Sequence, residues 1–180
     1  MRFWRRMAVL LAGAAMAVTA SATAAPAVVM QPSEQDTAWM VAAHQANLAE
    51  IATGKMAQDK SSSAEVKELG QRFVADHTKL DASLTALAQQ LNVTLPAEPN
   101  AEQKAVADKL QAAAAGDEFN KMWIEQQLAA HTKSMKATQQ EIDKGEAAQV
   151  KQAAEAALPV ITAHHEALVK AAPGIGVKPQ

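Results

Sequence analysis

The sequence has no cysteine and no tyrosine, and only 3% of its 180 residues are aromatic. Without cysteine there is no disulfide framework, no thiolate metal site and no sulfur nucleophile. There is no surplus of positive charge either. The 17 Lys and Arg stand against 19 Asp and Glu, so the basic footprint of a nucleic-acid binder is missing. A Gly-rich phosphate loop, a serine with a plausible base, strand-like alternation and a repeat of fixed period are absent as well. What remains is 49% hydrophobic and 20% charged, the balance of an ordinary globular chain, at a length that fits about one domain.

The opening MRFWRRMAVLLAGAAMAVTASATAA sets Arg2, Arg5 and Arg6 before an apolar run from Met7 to Val18, then small residues. That order is the pattern of a secretory signal peptide, and the run is too short to span a bilayer comfortably. Ala22-Thr23-Ala24 supplies the small-x-small site, with Ala25 as the first mature residue. The expected organisation is a signal peptide over 1–24, a flexible lead-in over 25–34, a helical domain over 35–172 and a C-terminal tail over 173–180. An uncleaved amphipathic anchor is the alternative reading of the first segment. Removing it leaves 14 basic against 19 acidic residues, a net charge of −5. Mild acidity argues against nucleic acid or an anionic membrane surface as partner. No later apolar stretch approaches 18 residues, so no membrane span is expected in the mature chain. Export to the periplasm follows.

Alanine-rich, breaker-poor sequence predicts helix almost throughout. Ser33 starts a first helix to about Lys60, with Glu34 and Asp36 suited to the positive end of its dipole. Ser63 caps a second helix that runs to about Leu91. Pro96 and Pro99 break the chain, a short helix spans Ala101 to Ala115, and Gly116-Asp117 begins the third long helix. Lys144-Gly145 closes it, and a fourth runs from Glu146 to about Ala172. Helices of this length extend about 40 Å. Two tight turns and one long middle connection suit an all-α four-helix bundle of ferritin-like type, its second and third long helices parallel. A simple up-down-up-down bundle also tolerates such a connection.

Written at three-to-four spacing, each core stripe carries one titratable residue. The second helix gives Val66, Phe73, Leu80 and Leu87 beside Gly70, His77, Leu84 and Leu91. The third gives Ile124, Leu128, His131, Met135, Thr138 and Ile142, and the fourth Val150, Ala154, Ala157, Ile161, His164 and Leu168. In the first, Trp39, Ala43, Ala46, Glu50 and Ala57 form the best stripe. Glu50, His77, His131 and His164 are thus expected to face inward, at heights that let three or four of them meet in one layer. Three imidazoles and a carboxylate suit a single Zn, Cu or Fe ion. The Glu-x-x-His pairs of di-iron bundles are missing, since Val74, Leu128 and Ile161 stand where the glutamates would be. A polar layer that fixes helix register and binds nothing is the competing reading.

Other positions carry less. Asp76 and Asp81 could support His77, with surface exposure the expected fate of both. His44 and His165 lie one position off the stripes and are expected to face solvent. Met40, Met56, Met122 and Met135 are spaced as flexible core filler rather than as copper ligands. Pro159 removes one amide donor from the fourth helix, one turn before His164.

Several segments resemble a known family. NLAEIATGKMA around Glu50, VKELGQRFVADHTKL around His77, NVTLPAEPNAEQKAVADKL, FNKMWIEQQLAAHTKSM around His131 and ALPVITAHHEAL around His164 are similar in order and spacing to the bacterial domain-of-unknown-function 4142 family. The likeness spans roughly Gln35 to Leu168, and Glu50, His77, His131 and His164 match its characteristic positions. It implies an exported ferritin-like bundle, in the periplasm or associated with the outer membrane, with no established activity. This chain departs where the family usually has Phe-Asp followed by Tyr, having Phe119-Asn120 and Trp123 instead. Taken together, the sequence suggests a metal-binding protein of envelope homeostasis or stress, or else an interaction module with an envelope protein partner. No catalytic constellation is legible.

Overall fold

The computed structural model describes residues 31–178, so the expected signal peptide lies outside the described residues. Five helices follow in order: α1 (Glu34–Lys60), α2 (Ala64–Leu91), α3 (Ala101–Ala112), α4 (Asp117–Lys144) and α5 (Ala148–Ala171). Their ends are written in side chains. Ser33 and Asp36 form a reciprocal capping box on α1, Asn100 and Gln103 another on α3, and the Ser63 hydroxyl accepts from the Val66 amide on α2. Asn92 ends α2 in the left-handed conformation at φ 56°, a role that asparagine fills at low cost. Pro159 is accommodated within α5 with its ring exposed.

Two contacts decide the helix order. The Gly116 amide donates to the Lys60 carbonyl at 2.9 Å, which places the start of α4 beside the end of α1. At the opposite end, the Asp36 carboxylate accepts from the Glu146 and Ala147 amides at 3.0 and 3.1 Å, tying the start of α1 to the start of α5. α1 therefore packs antiparallel to both α2 and α4, while α2 and α4 run parallel on a diagonal. The connection between them must return along the bundle's length, and α3 does so across α1 and α4. This is the ferritin-like order.

α1 and α2 meet most closely at Gly54 and Gly70. A methyl group on Gly70 would lie 2.6 Å from the Gly54 carbonyl oxygen, so both positions need a residue without a side chain. Buried hydrocarbon falls into two clusters. One holds Phe73, Phe119, Trp123, Ile124, Leu128 and Leu168, and the other Trp39, Met40, Leu84, Leu91, Val150 and Ala154. After α5 the chain makes a 3₁₀ turn over Ala172–Ile175 and buries Val177, so the start of the expected tail is part of the core.

Candidate metal centre

His77, His131 and His164 project from α2, α4 and α5 and are 4%, 2% and 0% exposed. Their ring centroids lie 5.2 to 5.9 Å apart, and one ring nitrogen of each lies within 4.8 Å of the other two. Phe73, one turn before His77, forms an apolar wall. Its ring stacks on His164 at 4.4 Å and lies 5.0 Å from His131.

Each imidazole is oriented by an oxygen on its outer side. His77 Nδ1 donates to Asn47 Oδ1 at 2.9 Å, His131 Nδ1 to the Gln127 carbonyl at 2.9 Å, and His164 Nε2 to Asp76 Oδ2 at 3.1 Å. A neutral ring has one N–H, and these bonds consume it. The remaining nitrogens, His77 Nε2, His131 Nε2 and His164 Nδ1, are buried lone pairs with no hydrogen-bond partner. Burial pushes all three imidazoles below the usual histidine range. For His131 the value falls to about 3, against a partial pull upward from the Gln127 carbonyl. The Asp76 bond opposes the fall at His164. The rings are therefore neutral at physiological pH, the state a metal requires.

Glu50 reaches the same layer but not the cluster. Its Oε1 lies 3.9 Å from His131 Nδ1, the nitrogen already committed to Gln127, and burial pushes the carboxyl up to about 8, with the Gln127 side chain drawing it back. Glu50 Oε2 has no partner. The structure thus brings three of the four expected residues together and sets the fourth behind one of them.

Two expectations need correction. His44 is 8% exposed rather than solvent-facing, with Nδ1 2.7 Å from Asp81 Oδ1 and Nε2 2.9 Å from the Pro96 carbonyl oxygen. Asp76 and Asp81 are not surface carboxylates supporting His77. They are partly buried and serve His164 and His44 across helix interfaces. His165 is partly exposed and sits 3.3 Å from the Thr132 hydroxyl.

Asn47, Gln127 and Phe73 also belong to the site. Gln127 stands one turn before His131 on the same face and could have been found from that spacing. Asn47 adjoins the stripe of α1, but nothing local marks it as the partner of a histidine on another helix.

The family model described as "Domain of unknown function (DUF4142)" matches residues 19–170. No curated protein matches the chain. Among solved structures, one described as "putative secreted protein DUF305 from Streptomyces coelicolor" is similar, with a TM-score of 0.69 at 10% identity, covering 81% of this chain and 95% of that one. At that identity the likeness speaks for the fold alone.

Proposed function

The chain belongs to the DUF4142 family, and from that premise and the three converging imidazoles we propose that it is an exported bundle protein of the bacterial envelope that takes up one transition-metal ion, Zn, Cu or Fe. Export is supported by the signal pattern in residues 1–24 and by a structural neighbour described as secreted. Among the described residues, no helix is long and apolar enough to cross a membrane.

One observation carries the metal reading. Three buried imidazoles each bring a nitrogen within 4.8 Å of the other two, and each ring has one nitrogen that no protein donor meets. Each unpaired buried acceptor costs about 1–3 kcal/mol. A water molecule has two protons and satisfies two of the three, whereas a cation accepts all three. Metal–imidazole bonds of about 2.0–2.1 Å would set the nitrogens ~3.4–3.6 Å apart, a modest contraction from the 4.8 Å limit. The outer oxygens of Asn47, Gln127 and Asp76 are the supports that metal-bound histidines require. His77, His131 and His164 would be the ligands, and Glu50 would act through His131.

The test is elemental analysis of protein isolated from the periplasm without chelator, paired with thermal shifts of stripped protein in Zn(II), Cu(II) and Fe(II). The expected result is close to one equivalent of metal and a raised Tm, both lost in His77→Gln/His131→Gln. Repeated metal-free preparations with no shift from any of the three ions would return the layer to a structural role.

A further inference from the structure

The two hydrocarbon clusters do not meet across the α1–α4 side of the bundle. Between them lies a cavity of about 380 Å³, within the ~300–1,000 Å³ range of small-molecule sites. Alanines from three helices line part of it, with Ala43 and Ala46 on α1, Ala130 and Ala137 on α4 and Ala157 on α5, among polar side chains. α3 covers it, and exposed lining residues such as Glu102 and Lys133 mark where it reaches the surface. Trp39 closes one end and Glu50 lines the other, eleven residues apart on α1, or about 16 Å.

The ends differ chemically. At the Trp39 end the indole N–H and the Thr138 hydroxyl satisfy each other at 3.4 Å, and Ala43 and Leu84 add hydrocarbon. At the Glu50 end, three buried acceptors belong to lining residues and have no partner: Gln127 Oε1, His77 Nε2 and His131 Nε2. Gln127 is 3% exposed; its amide nitrogen donates to Thr53 Oγ1 at 3.0 Å, while its oxygen has no partner. With Nδ1 donating in His77 and in His131, the free nitrogens of both are acceptors as well. A chamber with unpaired acceptors at one end and alanine methyl groups along part of its wall suits a ligand with a donor head and an apolar body. An anionic head would face the lone pairs of Gln127 and the two imidazoles, and an ammonium head, which forms no coordinate bonds to them, would give up its hydration for neutral acceptors alone. A neutral hydroxyl satisfies both constraints.

We propose that this chamber binds a small neutral amphiphile of the phenol or alcohol class, its hydroxyl donating to Gln127 Oε1 and its apolar body lying along the alanines toward Trp39. Binding does not depend on metal. With an ion on the ring nitrogens, Gln127 Oε1 is still without a partner on the chamber's wall.

The experiment uses the mature chain stripped with EDTA and titrated with p-cresol, toluene, p-toluate and 4-methylbenzylamine. Tryptophan fluorescence, read in a Trp123→Phe background so that Trp39 alone reports, and ligand-observed NMR follow binding. The expected result is saturable binding of p-cresol, about tenfold or more tighter than toluene, the value of one net hydrogen bond. The anion and the amine should bind more weakly than p-cresol. Gln127→Leu should bring cresol and toluene together, and Ala46→Leu should abolish both by filling the chamber. Should either variant fail to fold by circular dichroism, Gln127→Met and Ser134→Leu carry the same two tests. The proposal falls if p-cresol does not saturate, if toluene, p-toluate or the amine binds as well, or if the filled chamber still binds. Because the protein is metal-free throughout, a failure here is separate from a failure to bind metal.

Discussion

Asp76 is the sequence neighbour of His77, yet its carboxylate takes the Nε2–H of His164 on another helix, 3.1 Å away. Burial would raise the Asp76 pKa, but its contacts with His164 and Lys79 outweigh this and hold the carboxyl below its ordinary value. The bond fixes the tautomer of His164 and turns its Nδ1 lone pair inward. Asp76→Ala should therefore weaken metal binding by about 10–100-fold while leaving helical content unchanged, and Asp76→Asn, whose amide oxygen still accepts, should lose less. Competition titration against a chromophoric chelator measures both. Equal affinities for wild type and Asp76→Ala would show that this carboxylate does not orient the ring.

Phe73 is fully buried and packs on Trp123 as well as on all three histidines, edge-on in the case of His77. Phe73→Ala should cost about 3–5 kcal/mol, and Phe73→Leu much less. If the ring also holds the imidazoles in place, Phe73→Leu will fold, as urea denaturation would report, yet bind metal more weakly.

Gly70→Ala should destabilise the chain by about 1–3 kcal/mol, because its methyl group would sit 2.6 Å from the Gly54 carbonyl and drive α1 and α2 apart. Alanine ordinarily favours a helix over glycine by about 1 kcal/mol. A Tm equal to or above wild type would mean that the two helices separate freely here.

Asp36 and Glu141 are two fully buried carboxyls in hydrogen-bond contact where α1 meets the α4–α5 turn. Burial and the Asp36 carboxylate push Glu141 up to about 7, from 4.5. Burial raises Asp36 too, but hydrogen bonds from Glu141, Ser33 and Ala147 outweigh it and bring the group down to about 2, from 3.8. The pair thus holds one shared proton. Glu141 keeps its proton longer folded than unfolded, so its contribution is complete below pH 4.5 and is lost as pH rises through 7. Asp36 has the opposite sign, its contribution being present above pH 3.8 and lost as pH falls toward 2. In Glu141→Gln the amide donates to Asp36 at every pH. Relative to the variant, wild type should lose about 1.4 kcal/mol per pH unit between the two limits. Parallel stability curves from pH 5 to 8 would contradict the shared proton.

His44 faces an acceptor on each ring nitrogen, Asp81 and the Pro96 carbonyl. A neutral ring donates to one of them, and the imidazolium donates to both. His44→Ala frees the segment after α2 from α1, and hydrogen exchange across Leu95–Asn100 should accelerate at a global cost of about 1–2 kcal/mol.

Much of this was legible in order along the chain. Caps at Ser33 and Ser63, the breaks at Pro96 and Gly116, and three-to-four spacing placed every long helix to within two residues, because local sterics and end-group hydrogen bonding decide such features. The same spacing pointed His77, His131 and His164 inward, since facing is a property of one helix at a time. What required the tertiary structure was every pairing between helices. That Asp76 serves His164, that Asn47 serves His77, that Glu50 stands behind His131 and that Asp36 shares a proton with Glu141 all depend on how far one helix slides and turns against another. That offset is set by summed packing, including the glycine contact between α1 and α2, and no short stretch of sequence records it.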